Sequence, residues 1–203
     1  MGSKEKRVEA YKMEARQRIK AKAEQIRQQK LAPTEGIRYD TGKTAYHLLP
    51  PCLGDILARV VTLSPSRNRP EDFYLWALSE ATRAHGERDI IPCLTAALTH
   101  ALNGMVVQFG LSKTVDLLVQ VLEFGAKKYT PFNWAKGMDW TRCLRPAIGH
   151  LSKLDTLDDD PVNGTQTPHV ANAVIDLGFL LEYAYRNLGR DDRYPFPPKK
   201  DAA

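Results

Sequence analysis

The chain has 203 residues, 43% hydrophobic and 26% charged, which suits one domain core with an extension and excludes a disordered protein. No apolar run approaches the ~20 residues that cross a bilayer, and the charged N-terminus is unlike a secretion signal, so a cytoplasmic protein without membrane contact is expected. The net charge of +5 raises nucleic acid as a partner, but most of the excess sits in residues 4–30.

That first stretch lacks Gly and Pro and is rich in helix formers. Val8, Tyr11, Ala15, Ile19, Ala23 and Ile26 give it a thin apolar stripe. It reads as a solvated helical arm, with nucleic-acid contact through its cations the disfavoured alternative. Ala32-Pro33-Thr34-Glu35-Gly36 ends it, so residues 1–35 are arm and linker, 36–190 a domain and 191–203 a tail.

Arg38-Tyr39-Asp40-Thr41-Gly42-Lys43 then crowds cations, a ring and glycine into one loop. Pro50 and Pro51 open a helix with Leu53, Ile56, Leu57, Val60 and Val61 as its buried face. After a loop over 64–70, helices are predicted near 71–85 and 90–109. Ser112 is the expected N-cap of the next helix, carrying Val115, Leu118, Val119 and Leu122 inward, with Gly125 interrupting it.

Beyond the loop Asn133-Trp134-Ala135-Lys136-Gly137, Thr141 is expected to cap a helix with Leu144, Ile148 and Leu151 inside. Thr167 as cap and Pro168 as first helical residue launch the last helix, which runs to about Leu188 before Gly189. No useful strand alternation occurs, so the expected class is all-α. Cys52, Cys93 and Cys143, far apart and odd in number, read as reduced thiols.

The inward series Leu144, Ile148, Leu151 continues at the same spacing to Asp155 and Asp158. Buried unpaired carboxylates are costly, and a shared divalent metal removes the cost. The alternative is a helix ending near Leu154 followed by a solvated acidic turn that includes Asp159 and Asp160. On the last helix His169, Asn172, Asp176, Phe179 and Tyr183 share one stripe, and the opposite side is apolar, which points Asp176 and Asn172 inward. His150 and His169 are candidates for a phosphate donor, an orienting group or a base. Glu123 is expected to pair with Lys127.

Two blocks resemble a known family: R-Y-D-x-G-K with L-x-P-P at residues 38–51, and V-L-x-F-G-A-x-K-Y-x-x-x-N-W-x-x-G at 121–137. Followed by a helix bearing His, an acidic stretch and a last helix opening with His, they look like the dATP/dGTP diphosphohydrolases, MazG-like all-α nucleotide pyrophosphohydrolases found often in bacteriophages. The resemblance implies a helical bundle in which the segment at about 64–111 is an insertion. It also implies a homo-oligomer and, for a phage protein, location in the host cytoplasm.

The implied activity is metal-dependent hydrolysis of dGTP or dATP to monophosphate and pyrophosphate. Asp155, Asp158 and Asp176 would hold Mg²⁺, or Mn²⁺ in its place, with His150 beside them as a catalytic group. Arg38, Tyr39, Asp40, Lys43, Lys127, Lys128, Tyr129, Asn133, Trp134, His169 and Asn172 would bind the nucleotide. This chain departs from the pattern in having Gly149 before His150 and Asp176 where relatives carry Asn. The competing reading is a nucleic-acid-binding or nucleotide-sensing helical protein without catalysis.

Overall fold

The computed structural model describes residues 44–62, 68–153, 156–160 and 164–193. The expected arm, Arg38, Tyr39, Asp40, Lys43 and Asp155 lie outside the described residues. Within them the structure is all-α: α1 (Pro51–Thr62), α2 (Pro70–Ala84), α3 (Ile91–Phe109), α4 (Leu111–Tyr129), α5 (Thr141–Leu151) and α6 (His169–Arg186). Single 3₁₀ turns occupy Tyr46–Leu48 and Asn133–Lys136.

The segment expected to be an insertion supplies α2 and α3, and α3 lies in the core. Its Leu94, Ala97, Leu98, Ala101, Leu102 and Met105 are fully buried, and it packs against α1, α2, α4 and α6. Small residues bring α2 close. Ala77 and Ala81 face α3, and a Cβ on Gly104 would collide with the ring of Tyr74. The α1 face Leu53, Ile56, Leu57 and Val60 is buried as the spacing predicts. All three cysteines are buried free thiols. No single helix among the described residues is long and apolar enough to cross a membrane.

Helix ends depart from the expectation, because their polar groups find partners far away in sequence. Ser112 is inside α4, whose N-cap is Gly110 at φ 79°, where α3 and α4 meet at 118°. Glycine tolerates that dihedral, and the Thr114 hydroxyl closes the turn by donating to the Gly110 carbonyl at 2.8 Å. Gly125 does not interrupt α4, which continues through both lysines to Tyr129. One glycine costs a helix about 1 kcal/mol, too little to break it against packing.

Thr141 is the first residue of α5 and not its cap. Its N–H and hydroxyl both donate to the Asp192 carboxylate, at 2.8 and 2.6 Å, so the acid that favours the positive helix end comes from beyond α6. At α1 the Cys52 N–H likewise donates to Glu182 on α6 at 2.8 Å, and Arg186 pairs the other oxygen of that buried acid at 2.7 Å.

Two further corrections concern the acidic segment. α5 stops at Leu151, so Asp158 is not on its continuation but on an extended stretch running back along residues 164–168. At α6 the N-cap position falls on Pro168, and the helix closes at Asn187 in the left-handed region. Beyond it, residues 188–193 lie along 138–141. Trp140 N–H donates to Arg190 O at 2.9 Å, and Arg190 pairs with Asp139 through two bonds of 2.9 and 3.0 Å. A Cβ on Gly189 would strike the Met138 carbonyl, which is why glycine stands there.

Candidate active site

A cavity of about 660 Å³ opens between the C-terminal half of α4, the 130–138 segment, α5, the acidic segment and α6. Its size is that of a small-molecule pocket. Lys128, Tyr129, Asn133, Trp134, His150, Asp158, Asn172 and Asp176 all line it, so the structure brings together eight residues singled out from the sequence. Lys127 is exposed and not part of the lining. His169 stands behind His150, their Nδ1 atoms 2.8 Å apart.

Other residues complete the wall. Lys136 and Arg142 add cations, Asp160 a further carboxylate, and Phe179 and Thr165 complete the lining. Lys136 lies inside the Asn-Trp block and Phe179 on the stripe of Asp176, so both were within reach of sequence reasoning. Arg142 had no such signal. Gly125 also lines the cavity, and a Cβ there would meet nothing within 4 Å, so this mid-helix glycine leaves the wall open.

The loop after α4 is held tightly. Thr130 adopts φ 80°, ψ 149°, a region that β-branched residues avoid, and Phe132 is left-handed. Trp134 is buried and stacked on Phe179 at 5.1 Å and 13°, and its carbonyl accepts the Tyr183 hydroxyl at 2.7 Å. One face of the indole is therefore already covered. Glu123, expected to pair with Lys127, instead accepts the Ala45 N–H at 3.0 Å and ties residues 44–48 to α4.

The electrostatics centre on Asp176. It has no hydrogen-bond or ion-pair partner among the described residues, and desolvation pushes its carboxyl up to about 8. Burial raises the nearby Cys143 thiol and Tyr183 phenol as well. His150 and His169 are both held below the usual imidazole range. For His150 the causes are burial and then the neighbouring imidazole; for His169, burial and then Lys153. A neutral pair can share one proton between the Nδ1 atoms, leaving His150 Nε2 for other chemistry. The Asp158 carboxylate accepts the Thr165 N–H at 3.0 Å.

Residues 105–193 match the family model described as dATP/dGTP diphosphohydrolase, N-terminal. Over this segment, a little under half of the chain, the sequence is similar to the dATP/dGTP diphosphohydrolase family. No curated protein and no solved structure matches the chain. Apart from Leu48, every residue lining the cavity falls within the matched segment. The match begins near the end of α3 and reaches Arg193, taking in the 188–193 return along 138–141.

Within the matched segment the donor set can be tested against a divalent cation. Among the described residues no three of His, Cys, Asp and Glu gather closely enough to hold one between them. Mg²⁺, however, is ordinarily held by one or two carboxylates together with substrate phosphates, and seldom by an all-protein cage. A half-buried Asp176 without a partner among the described residues, with Asp158 and Asp160 on the same cavity, fits that mode.

Proposed function

We propose that the cavity binds a purine deoxynucleoside triphosphate, dGTP or dATP, with Mg²⁺ or Mn²⁺, and hydrolyses it to the monophosphate and pyrophosphate. The observation that carries this reading is the mixed charge of one cavity. Lys128, Lys136 and Arg142 suit a polyphosphate, while Asp158, Asp160 and Asp176 suit the cation that accompanies it. A pure polyanion site would gain nothing from three carboxylates, and their presence is explained by a metal–nucleotide complex.

Asp176 and Asp158 would hold the cation, which when bound neutralises phosphate charge and polarises the phosphoryl group under attack. The lysines and Arg142 stabilise charge developing on the phosphate oxygens. Asn133, Tyr129 and the exposed edge of the Trp134–Phe179 stack hold sugar and base. A water oxygen bonds the α-phosphorus as the bond from that phosphorus to the α–β bridging oxygen breaks. Pyrophosphate leaves with the electron pair, and the water proton passes to the free lone pair of His150 Nε2, whose ring burial keeps neutral.

Incubating the purified protein with each dNTP and Mg²⁺ or Mn²⁺, then separating products by chromatography, tests the reaction. Monophosphate and pyrophosphate from dGTP or dATP are expected. Release of orthophosphate, or intact triphosphate with both metals, would sink the proposal.

The two adjacent lysines give a sharper expectation. Lys128→Ala should weaken binding of a non-hydrolysable triphosphate about tenfold or more, since a charge-assisted contact is worth roughly 1.5–3 kcal/mol. Lys127→Ala, outside the cavity, should change it less than about twofold. Calorimetric titration in Mg²⁺ distinguishes them, and equal affinities in the two variants would remove Lys128 from the phosphate site.

A further inference from the structure

Behind Asp158 runs a chain of buried hydrogen bonds that starts on α6. Asn172, only 6% exposed, donates from its amide nitrogen to Thr165 Oγ1 at 2.9 Å and Thr167 Oγ1 at 3.2 Å. The two hydroxyl oxygens lie 2.7 Å apart, and Thr165 Oγ1 is 3.3 Å from Asp158 Oδ2. Thr165 is 9% exposed and Thr167 fully buried, so water does not substitute for these partners.

Donor counting fixes the direction of the chain. An amide nitrogen only donates and an ionised carboxylate only accepts. The one Thr165 proton therefore goes to Asp158, and the one Thr167 proton goes to Thr165. The backbone holds the same register: Asp158 N–H donates to Thr167 O at 2.8 Å and Gln166 N–H to Asp158 O at 2.9 Å. Gly164 allows the fold-back, since a Cβ there would stand 2.6 Å from the Asp158 carbonyl. Every bond to the Asp158 side chain falls on Oδ2, and Oδ1 has none among the described residues.

We propose that Asn172, Thr167 and Thr165 are positioning residues, a hydroxyl relay that anchors Asp158 Oδ2 to the core and leaves Oδ1 to take the cation–phosphate group. This rests on reading the cavity as a nucleotide–cation site. A carboxylate fixed by such partners loses little freedom when it binds, and loss of an outer partner of this kind typically weakens metal affinity by about 10–100-fold. The relay also gives Asn172 a part distinct from direct nucleotide contact, because its amide nitrogen is committed to the two hydroxyls.

The test is calorimetric titration of the full chain with a non-hydrolysable α,β-imido deoxyguanosine triphosphate in Mg²⁺, so that affinity is read without turnover. Thr165→Val should bind about tenfold or more weakly, while Thr165→Ser, which keeps the hydroxyl, should stay within about twofold of the wild type. Thr167→Val breaks the chain one hydroxyl further out and should show a smaller loss in the same direction; it serves if Thr165→Val does not fold by circular dichroism. Wild-type affinity in both valine variants overturns the relay, and so does an equal loss in Thr165→Ser. A wild-type protein that fails to bind the probe overturns the nucleotide reading of the cavity, and the relay with it.

Discussion

Asp176→Asn is expected to abolish metal-dependent turnover, by at least about a thousandfold, and at the same time to make the cation-free protein more stable at pH 8. The amide keeps the shape of the carboxyl but cannot carry the charge that holds the cation. The stability gain follows from proton linkage. In the folded chain without a cation the carboxyl stays protonated up to about 8, against an ordinary 3.8. Between about pH 4 and pH 8 the native state therefore binds more protons than the unfolded state, and wild-type stability falls as the pH rises. Asparagine does not titrate, so the variant should match the wild type near pH 4 and exceed it by roughly 2 kcal/mol or more at pH 8. Thermal melts in chelator at the two pH values, beside an activity assay, measure both effects. Wild-type turnover in the variant removes Asp176 from the reaction, and an unchanged stability difference between the two pH values would mean that its carboxyl is not desolvated.

Arg193→Ala should lower stability by about 3 kcal/mol, or roughly 6–12 °C in melting temperature for a chain of this size. The guanidinium is buried. It donates to the carbonyls of Ala84 and Glu87, forms two bonds of 2.8 and 2.7 Å with Asp191, and lies over the Trp140 ring at 5.5 Å. Removing it leaves the end of α2 with unmatched carbonyls and loosens the return segment in which Asp192 caps α5. Since α5 carries Arg142 and His150 into the cavity, activity should fall more steeply with temperature than in the wild type. Arg193→Lys should restore little, because a single ammonium cannot span two carbonyls, a carboxylate and a ring. Calorimetry settles the matter: a variant melting within about 1 °C of the wild type would show that this clasp contributes nothing.

Both variants mark a boundary between what can and cannot be read along the chain. Asp176 was legible because α6 announces its own burial. With Val170, Val174, Leu177 and Leu181 on one side and Phe179 and Tyr183 on the other, a carboxylate among them has to face something other than bulk water. The block around Gly125, Lys128, Asn133 and Trp134 was legible for a different reason, its resemblance to a family pattern, since its composition alone is equally that of an ordinary polar turn. Arg193 gave no such sign. It stands in a Pro- and Lys-rich stretch that reads as a tail, and its burial depends on a turn more than a hundred residues earlier in the chain.

The sequence by itself determined the all-α class, the buried faces of α1 and α6, and eight of the residues that meet at the cavity, because side-chain periodicity and local composition are properties of neighbours in the chain. Only the tertiary structure decided where the helices end and which carboxylate does what. Ser112, Thr141 and Thr167 are sound caps by residue type, yet the cap of α4 falls on Gly110, Asp192 takes the end of α5, and α6 has Pro168 there while the Thr167 hydroxyl joins the Asn172 relay, because a helix end or hydroxyl is satisfied by whichever polar group folding brings within about 3 Å. Asp158 shows the same rule from the other side. It fits the spacing of α5 but reaches the cavity from a fold-back loop held by Thr165, since a polar group's position is set by the bonds that satisfy it and not by the helical register it would otherwise continue.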